Sequence, residues 1–156
     1  MIGSSARRAH VLACALLLWP LFVFARGERP GQAAIASAHP AATAAGHAVM
    51  DQGGNAFDAA IAVAAALAVV EPYSSGIGGG GFFLIHRAED GKETVIDARE
   101  TAPAAAGPHM YDDETGKPVA TRSLNGALAA AIPGLPASLV HLAQHYAKLS
   151  LAQDLA

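Results

Sequence analysis

The run Asp97-Ala98-Arg99-Glu100 is the segment whose residue types point most clearly to chemistry. The guanidinium of an arginine is a planar fork of N–H donors, and such a fork can bind a carboxylate through paired hydrogen bonds. Arg99 is therefore a candidate for holding the carboxylate of a substrate, with Asp97 and Glu100 as its orienting partners. An arginine flanked by carboxylates can equally be an exposed or ion-paired structural residue. The spacing leaves both interpretations open.

Gly76, Gly78 and Gly81 have the spacing of a dinucleotide-binding loop, in which a strand precedes the glycines and a helix follows them. In that motif the helix N-terminus meets the pyrophosphate. Here the alanine-rich residues 56–70 before the loop are typical of a helix, and the residues after the loop are typical of a strand. Because this order is reversed, we interpret the loop over residues 73–81 as a close approach of the backbone to another segment or to a ligand.

His141 and His145 share one face of a predicted helix, which is the spacing of a metal-binding pair. The nearby sequence offers no third ligand, so a solvated helix face is the expected role of the pair. No serine or threonine lies in a G-x-S-x-G or S-x-x-K motif. Cys14 is the only cysteine, and it lies in an N-terminal apolar run. We therefore expect neither a catalytic nucleophile nor a metal ligand in this chain.

The composition narrows the class of protein. The 156 residues are 53% hydrophobic and only 15% charged, and the apolar excess comes mostly from alanine. A disordered chain would be polar and rich in charge, so that class is excluded. The 10 Lys and Arg residues against 13 Asp and Glu residues also argue against a nucleic-acid partner. We expect closely packed helices and strands.

Residues 1–25 have the pattern of a secretory signal peptide. Two arginines are followed by an apolar run over residues 11–24, which is shorter than the roughly 20 residues that a transmembrane helix needs. Val23 and Ala25 occupy the small-residue positions of a cleavage site. We therefore predict a signal peptide cut after Ala25, a linker over residues 26–32 and a periplasmic or secreted location. An uncleaved membrane anchor is the alternative.

The pattern of residues 33–156 predicts a domain of helices and strands. Helices are expected over residues 41–52, after Pro40 at the first helical position, and over residues 56–70, with Asn55 as the N-cap. The other expected elements are an edge strand over 33–38, strands over 82–87 and 93–98, a short helix or strand over 124–131 and a last helix over 137–149.

The two strands are joined through Asp90-Gly91, which is a hairpin signal. Successive side chains of a strand point to opposite faces of a sheet. The alternation predicts one face with Phe83, Ile85 and Arg87 and another with Phe82, Leu84 and His86.

Several segments, in this order along the chain, resemble the start of the gamma-glutamyltransferase (gamma-glutamyltranspeptidase) family. They are His39-Pro40-Ala41-Ala42, Gly53-Gly54-Asn55-Ala56-Phe57-Asp58-Ala59-Ala60, the glycine loop with Val70-Glu71-Pro72 before it, Asp97-Ala98-Arg99-Glu100-Thr101-Ala102-Pro103 and Ile132-Pro133-Gly134. The resemblance covers residues 33–156 and identifies them as the truncated N-terminal part of a large subunit.

The resemblance implies a fold of the α/β (α+β) class, the αββα sandwich of N-terminal-nucleophile hydrolases, incomplete in this fragment. It also implies a precursor that cleaves itself, and a threonine at the new N-terminus of a small subunit. That threonine attacks γ-glutamyl amides such as glutathione without a metal or organic cofactor. The small subunit and the rest of the large subunit are the expected partners. In the family, the arginine of the motif binds the substrate α-carboxylate, and the resemblance gives this role to Arg99.

An exported γ-glutamyltransferase is the main interpretation, and two alternatives stay beside it. A β-lactam side-chain acylase of the same fold would share most of these motifs and differ in a pocket built elsewhere. A noncatalytic, truncated remnant is the other alternative. The fragment alone is expected to be inactive, because Arg99 can orient a substrate but supplies no attacking group.

Overall fold

The computed structural model of the chain describes residues 33–156, and these contain the compact unit Ile35–Ala156. The predicted signal peptide over residues 1–25 and the linker over residues 26–32 lie outside the described residues. The elements in chain order are α1 (Pro40–Asp51), α2 (Ala56–Val70), the short α3 (Pro72–Ser75), β1 (Phe82–Arg87), β2 (Lys92–Asp97), α4 (Leu135–His145) and the short α5 (Leu151–Asp154). This mixture of helices and strands confirms the predicted α/β class.

Side-chain caps fix the starts of the two long helices. The ring of His39 accepts a backbone N–H at the start of α1. At the start of α2, the amide oxygen of Asn55 accepts the N–H groups of Phe57 and Asp58 at 2.7 and 3.2 Å. The carboxylate of Asp58 in turn accepts the N–H of Asn55 at 2.6 Å. These reciprocal bonds form a capping box, which satisfies donors that a helix start leaves without partners. Both predicted helices are confirmed.

The two strands form an antiparallel hairpin that turns at Asp90-Gly91, as predicted. One face of this sheet lies against the helices, and its central residue, Ile85, is 5% exposed. The other face carries Phe82, Leu84 and Val95, which are 60%, 76% and 63% exposed. The predicted alternation is confirmed, and the described residues cover only one face of the sheet.

The hydrophobic core lies between the covered face of the sheet and helices α2 and α4. Its buried members are Ile61, Ile85, Leu135, Leu139 and Leu142. Helix α2 is apolar on every side, yet its buried residues all lie in its N-terminal half, and Val69 is 78% exposed. A helix that is apolar all round is usually buried on most faces, and here only the N-terminal half is buried by the described residues. No helix within residues 33–156 has the length and the apolar character needed to cross a membrane.

Two short predicted elements take another form in the structure. Residues 33–38 pair with no strand of the described chain, and the hydroxyl of Ser37 instead donates to the carbonyl of His39 at 2.9 Å, just before α1. The predicted edge strand is wrong, because an apolar run forms a strand only where a neighbouring strand accepts its backbone bonds. The segment over 124–131 contains a single 3-10 turn, Ala127–Ala129.

The last predicted helix, over residues 137–149, is shorter than expected and shifted towards the N-terminus. Helix α4 begins at Leu135 and ends at His145. The N–H groups of Lys148 and Leu149 donate to the buried carboxylate of Asp58 at 3.0 and 2.8 Å. Because these amides are bonded to a side chain from another helix, they do not continue the helical ladder.

Candidate functional site

Arg99 lies just after the end of β2, with its side chain in a largely open position. The side chain is 65% exposed, and its Nε atom lies 3.5 Å from Oε2 of Glu100. A strong N–H···O bond between charged groups is about 2.7–2.9 Å long, so this ion pair holds the guanidinium only loosely. The planar fork therefore remains accessible to a carboxylate ligand.

The backbone that carries Arg99 is, in contrast, held closely by the glycine loop. Ala98 is 5% exposed; its N–H donates to the carbonyl of Gly81 at 2.9 Å, and its carbonyl accepts the N–H of Gly81 at 3.2 Å. Gly80 and Gly134 approach the Ala98 carbonyl so closely that a Cβ atom on either would overlap its oxygen. Only glycine permits such an approach. The prediction that the loop passes close to another segment is confirmed.

A second turn, which contains Gly134, secures the glycine loop from the other side. The N–H groups of Gly134 and Leu135 both donate to the carbonyl of Gly79, at 3.2 and 3.1 Å. Thr101 and Ile132 form an isolated antiparallel β-bridge beside this turn. Sequence reasoning missed this role of the turn, and the only local signal for it was the Pro-Gly pair.

Both carboxylates next to Arg99 contact it, but at different groups. Glu100 contacts the guanidinium, whereas Oδ1 of Asp97 accepts the backbone N–H of Arg99 at 3.0 Å. Asp97 therefore acts on the main chain and not on the fork. Glu100 also lines a cavity of about 240 Å³ beneath the glycine loop, together with Ser74, Ser75, Gly79, Gly80 and Leu135.

The two histidines of α4 lie together but do not form a larger cluster. The ring centroids of His141 and His145 are 4.4 Å apart, and both residues are exposed. Within residues 33–156, no group of three or more His, Cys, Asp or Glu side chains is arranged to hold a metal ion. The ring centroid of His141 lies 6.1 Å from that of Tyr146, the residue that follows α4.

Asp58 and Asp154 form a buried pair of carboxyl groups that the sequence did not signal. Burial alone would raise the pKa of Asp58, but the N–H groups of Asn55, Lys148 and Leu149 outweigh it and hold that pKa below its ordinary value. Asp154 is 4% exposed, and neither of its oxygens has a hydrogen-bond partner among the described residues. Burial, and then the nearby Asp58, raise the pKa of Asp154 to about 6.

Comparison with known proteins identifies a family and solved structures that this chain resembles. The sequence model of the family described as Gamma-glutamyltranspeptidase matches residues 42–156. The glutathione hydrolase proenzyme of Bacillus subtilis (strain 168) is 48% identical over 102 residues, which are 64% of this chain and 17% of the relative. The crystal structure of Helicobacter pylori gamma-glutamyltranspeptidase matches with a TM-score of 0.75 and 40% identity, over 83% of this chain and 37% of that one. A cephalosporin acylase from Bacillus halodurans matches with a TM-score of 0.62 and 29% identity, over 85% and 25% of the two chains.

The mixed helical and β fold and these structural neighbours define the class of protein, which is that of the N-terminal-nucleophile hydrolases. The chain belongs to the gamma-glutamyltranspeptidase family, as its motifs predicted. It spans well under half of the length of each of these relatives.

Proposed function

We propose that the full-length protein containing this chain transfers or hydrolyses the γ-glutamyl groups of amides such as glutathione. The observation that carries the proposal is the setting of Arg99, whose exposed guanidinium follows a backbone segment held by two loops, at the arginine position of the family motif. A guanidinium carried on such a fixed backbone segment binds the α-carboxylate of a glutamyl group bidentately and orients the γ-amide for attack. Arg99 is the substrate-binding residue of this proposal, and the reaction needs neither a metal nor an organic cofactor.

The attacking group of this proposal lies outside the chain. A precursor cleaves itself, and the threonine at the new N-terminus of the small subunit supplies the nucleophilic hydroxyl and, in its α-amine, the base that takes the proton. The amide bond breaks as the acyl–threonine ester forms, and the amine of the substrate leaves with the proton that the α-amine took from the hydroxyl. Water or an acceptor amine then attacks the ester, takes the glutamyl group and releases the threonine hydroxyl. The Bacillus subtilis relative is named a proenzyme, and the match to this chain covers 17% of it, which supports a separate catalytic portion.

Exposed apolar side chains support a partner for this chain. Phe82, Leu84 and Val95 lie on the open face of the sheet, and Val69 is exposed on α2. An exposed apolar sheet face of this kind usually marks a site of association. We propose that the remaining part of the large subunit and the small subunit pack on this apolar surface. Their addition would complete the αββα sandwich.

Export is a separate part of the proposal. It rests on the basic N-terminus, the apolar run over residues 11–24 and the small residues Val23 and Ala25. N-terminal sequencing of the mature protein should begin at Arg26 or within a few residues of it, in the periplasm or the medium. A cytoplasmic protein that retains Met1 would contradict export.

The activity is tested by expressing the complete reading frame and assaying the purified protein with γ-glutamyl-p-nitroanilide. A denaturing gel of the same sample should show a large and a small subunit. The 156-residue chain alone serves as the negative control and should be inactive. A complete, folded protein with no threonine at a processing site and no turnover would contradict the proposal and favour a noncatalytic remnant.

The likeness to the cephalosporin acylase favours a second candidate function, removal of the acyl side chain of a β-lactam. A parallel assay with an acylated cephalosporin separates the two functions. The γ-glutamyl proposal predicts a higher kcat/KM for the γ-glutamyl amide. A higher kcat/KM for release of the β-lactam nucleus would assign the acylase activity instead.

A further inference from the structure

The guanidinium of Arg99 has few contacts, whereas the backbone around Arg99 is held by several hydrogen bonds. Among the described residues, the guanidinium has only the 3.5 Å ion pair with Glu100. The main chain is fixed at Ala98 by the paired hydrogen bonds with Gly81. The next contact along the chain is the bond from the N–H of Arg99 to Oδ1 of Asp97, at 3.0 Å. Gly80 also approaches the Cα atom of Arg99 closely, and within residues 33–156 Asp97 is the side chain that bonds the Arg99 N–H.

Asp97 is well suited to this task and has no competing ion pair in the described part of the chain. It is exposed at the end of β2, opposite Phe82 in the ladder. Of the ion pairs formed within residues 33–156, none includes Asp97. An aspartate that accepts the N–H two residues further on closes a local turn and restricts the backbone angles of that residue.

We propose that Asp97 is a positioning residue for substrate binding. Its carboxylate accepts the backbone N–H of Arg99 and so sets the direction of the guanidinium towards the carboxylate of the substrate. The inference rests on the proposed γ-glutamyl activity and on Arg99 as the carboxylate-binding group. Because Asp97 itself does not touch the substrate, its effect reaches the substrate only through Arg99 and is expected mainly in KM.

Three substitutions in the full-length protein separate the hydrogen bond from the charge. Asp97→Asn keeps the Oδ1 acceptor without the charge, Asp97→Glu keeps the charge on a longer side chain that does not close the turn, and Asp97→Ala removes both. The Ala and Glu variants should raise KM for γ-glutamyl-p-nitroanilide by about fivefold, the value of one lost hydrogen bond, with kcat almost unchanged. The Asn variant should stay close to wild type.

Glu93→Ala is the matched control, because it removes another exposed carboxylate of β2, one that lies 3.7 Å from His86. It should leave KM unchanged. Subunit processing and thermal unfolding are measured on every variant, since a purely structural role would lower stability without a selective rise in KM. If Asp97→Ala fails to process, the comparison of Asp97→Asn with Asp97→Glu decides the question.

An unchanged KM in Asp97→Ala, beside a raised KM in Arg99→Ala, would overturn the role of Asp97 and leave the proposed function standing. An equal rise in KM for Asp97→Asn and Asp97→Glu would also overturn it, because the backbone bond would then not be the cause. If Arg99→Ala itself leaves KM unchanged, the proposed role of Arg99 fails, and the role of Asp97 fails with it.

Discussion

The carboxyl groups of Asp58 and Asp154 are neighbours in the interior of the protein, and only Asp58 has hydrogen-bond donors. Asp58 accepts backbone N–H groups from Asn55, Lys148 and Leu149, whereas Asp154 accepts none among the described residues. The donors stabilise the charge of Asp58, and this charge and the buried setting oppose a second charge on Asp154. The pair therefore ionises in two separate steps.

We expect the free energy of unfolding to fall as the pH rises from about 4 to about 6. The pKa of Asp154 is raised from 3.8 to about 6, so the folded state binds this proton more tightly than the unfolded state. The free-energy cost of ionising Asp154 in the folded protein is absent at a pH below its unfolded pKa. It grows between the two pKa values and is complete above the folded pKa. The difference corresponds to about 3 kcal/mol.

Urea unfolding at a series of pH values between 4 and 7 measures this slope. Asp154→Asn cannot ionise, so the variant should lose the slope and be more stable than wild type at pH 7. A wild-type slope that persists in the variant would show that other groups cause it.

The second prediction concerns the donors around Asp58. Asp58→Ala should lower the free energy of unfolding by about 3 kcal/mol, because it removes the Asp58 half of the capping box and leaves the amides of Asn55, Lys148 and Leu149 without their acceptor. Hydrogen exchange should show faster exchange of these amides. Asp51→Ala, at an exposed carboxylate of α1, is the control and should change little. Equal effects of the two substitutions would contradict the structural role of Asp58.

The third prediction compares two glycines of the same loop. Gly80→Ala should destabilise the protein by more than about 2 kcal/mol, because the added Cβ overlaps the carbonyl oxygen of Ala98 and displaces backbone. Gly78→Ala is the matched control, since a Cβ at Gly78 meets no atom within 4 Å. Thermal unfolding of both variants tests the difference. A tolerated Gly80→Ala beside a destabilised Gly78→Ala would mean that the loop does not pack on Ala98.

The fourth prediction concerns Arg99 in the full-length protein. Arg99→Ala should cost about 2–5 kcal/mol in kcat/KM, as in the truncation of one partner of a charge pair. Arg99→Lys should recover only part of this, because lysine keeps the charge and loses the planar fork. Steady-state kinetics and a gel for subunit processing provide the measurement, and processing should survive both changes. An unchanged kcat/KM in a properly cleaved Arg99→Ala enzyme would reduce Arg99 to a structural ion-pair residue.

Local patterns in the sequence determined the elements that need no distant partner. Asn55 signalled the start of α2 because a cap acts on residues within one helical turn. Asp90-Gly91 and the alternation around Ile85 predicted the hairpin and the division of its side chains between two faces, because a tight turn and the period of a strand are local properties. The motif around Arg99 indicated the family and the candidate site, and the comparisons confirmed the family.

The tertiary structure alone decided what depends on residues far apart in the chain. Helix α4 ends where it does because amides near residue 148 bond to Asp58, 90 positions earlier. The close approach of Gly80 and Gly134 to the carbonyl of Ala98 likewise depends on segments that are distant in the sequence. So does the buried pair of carboxyl groups that Asp154 forms with Asp58. Hydrophobic periodicity reports which face of an element is apolar, but it does not report which distant segment packs there. Steric fit and buried hydrogen bonds are properties of that packing, so they are decided only when the segments meet.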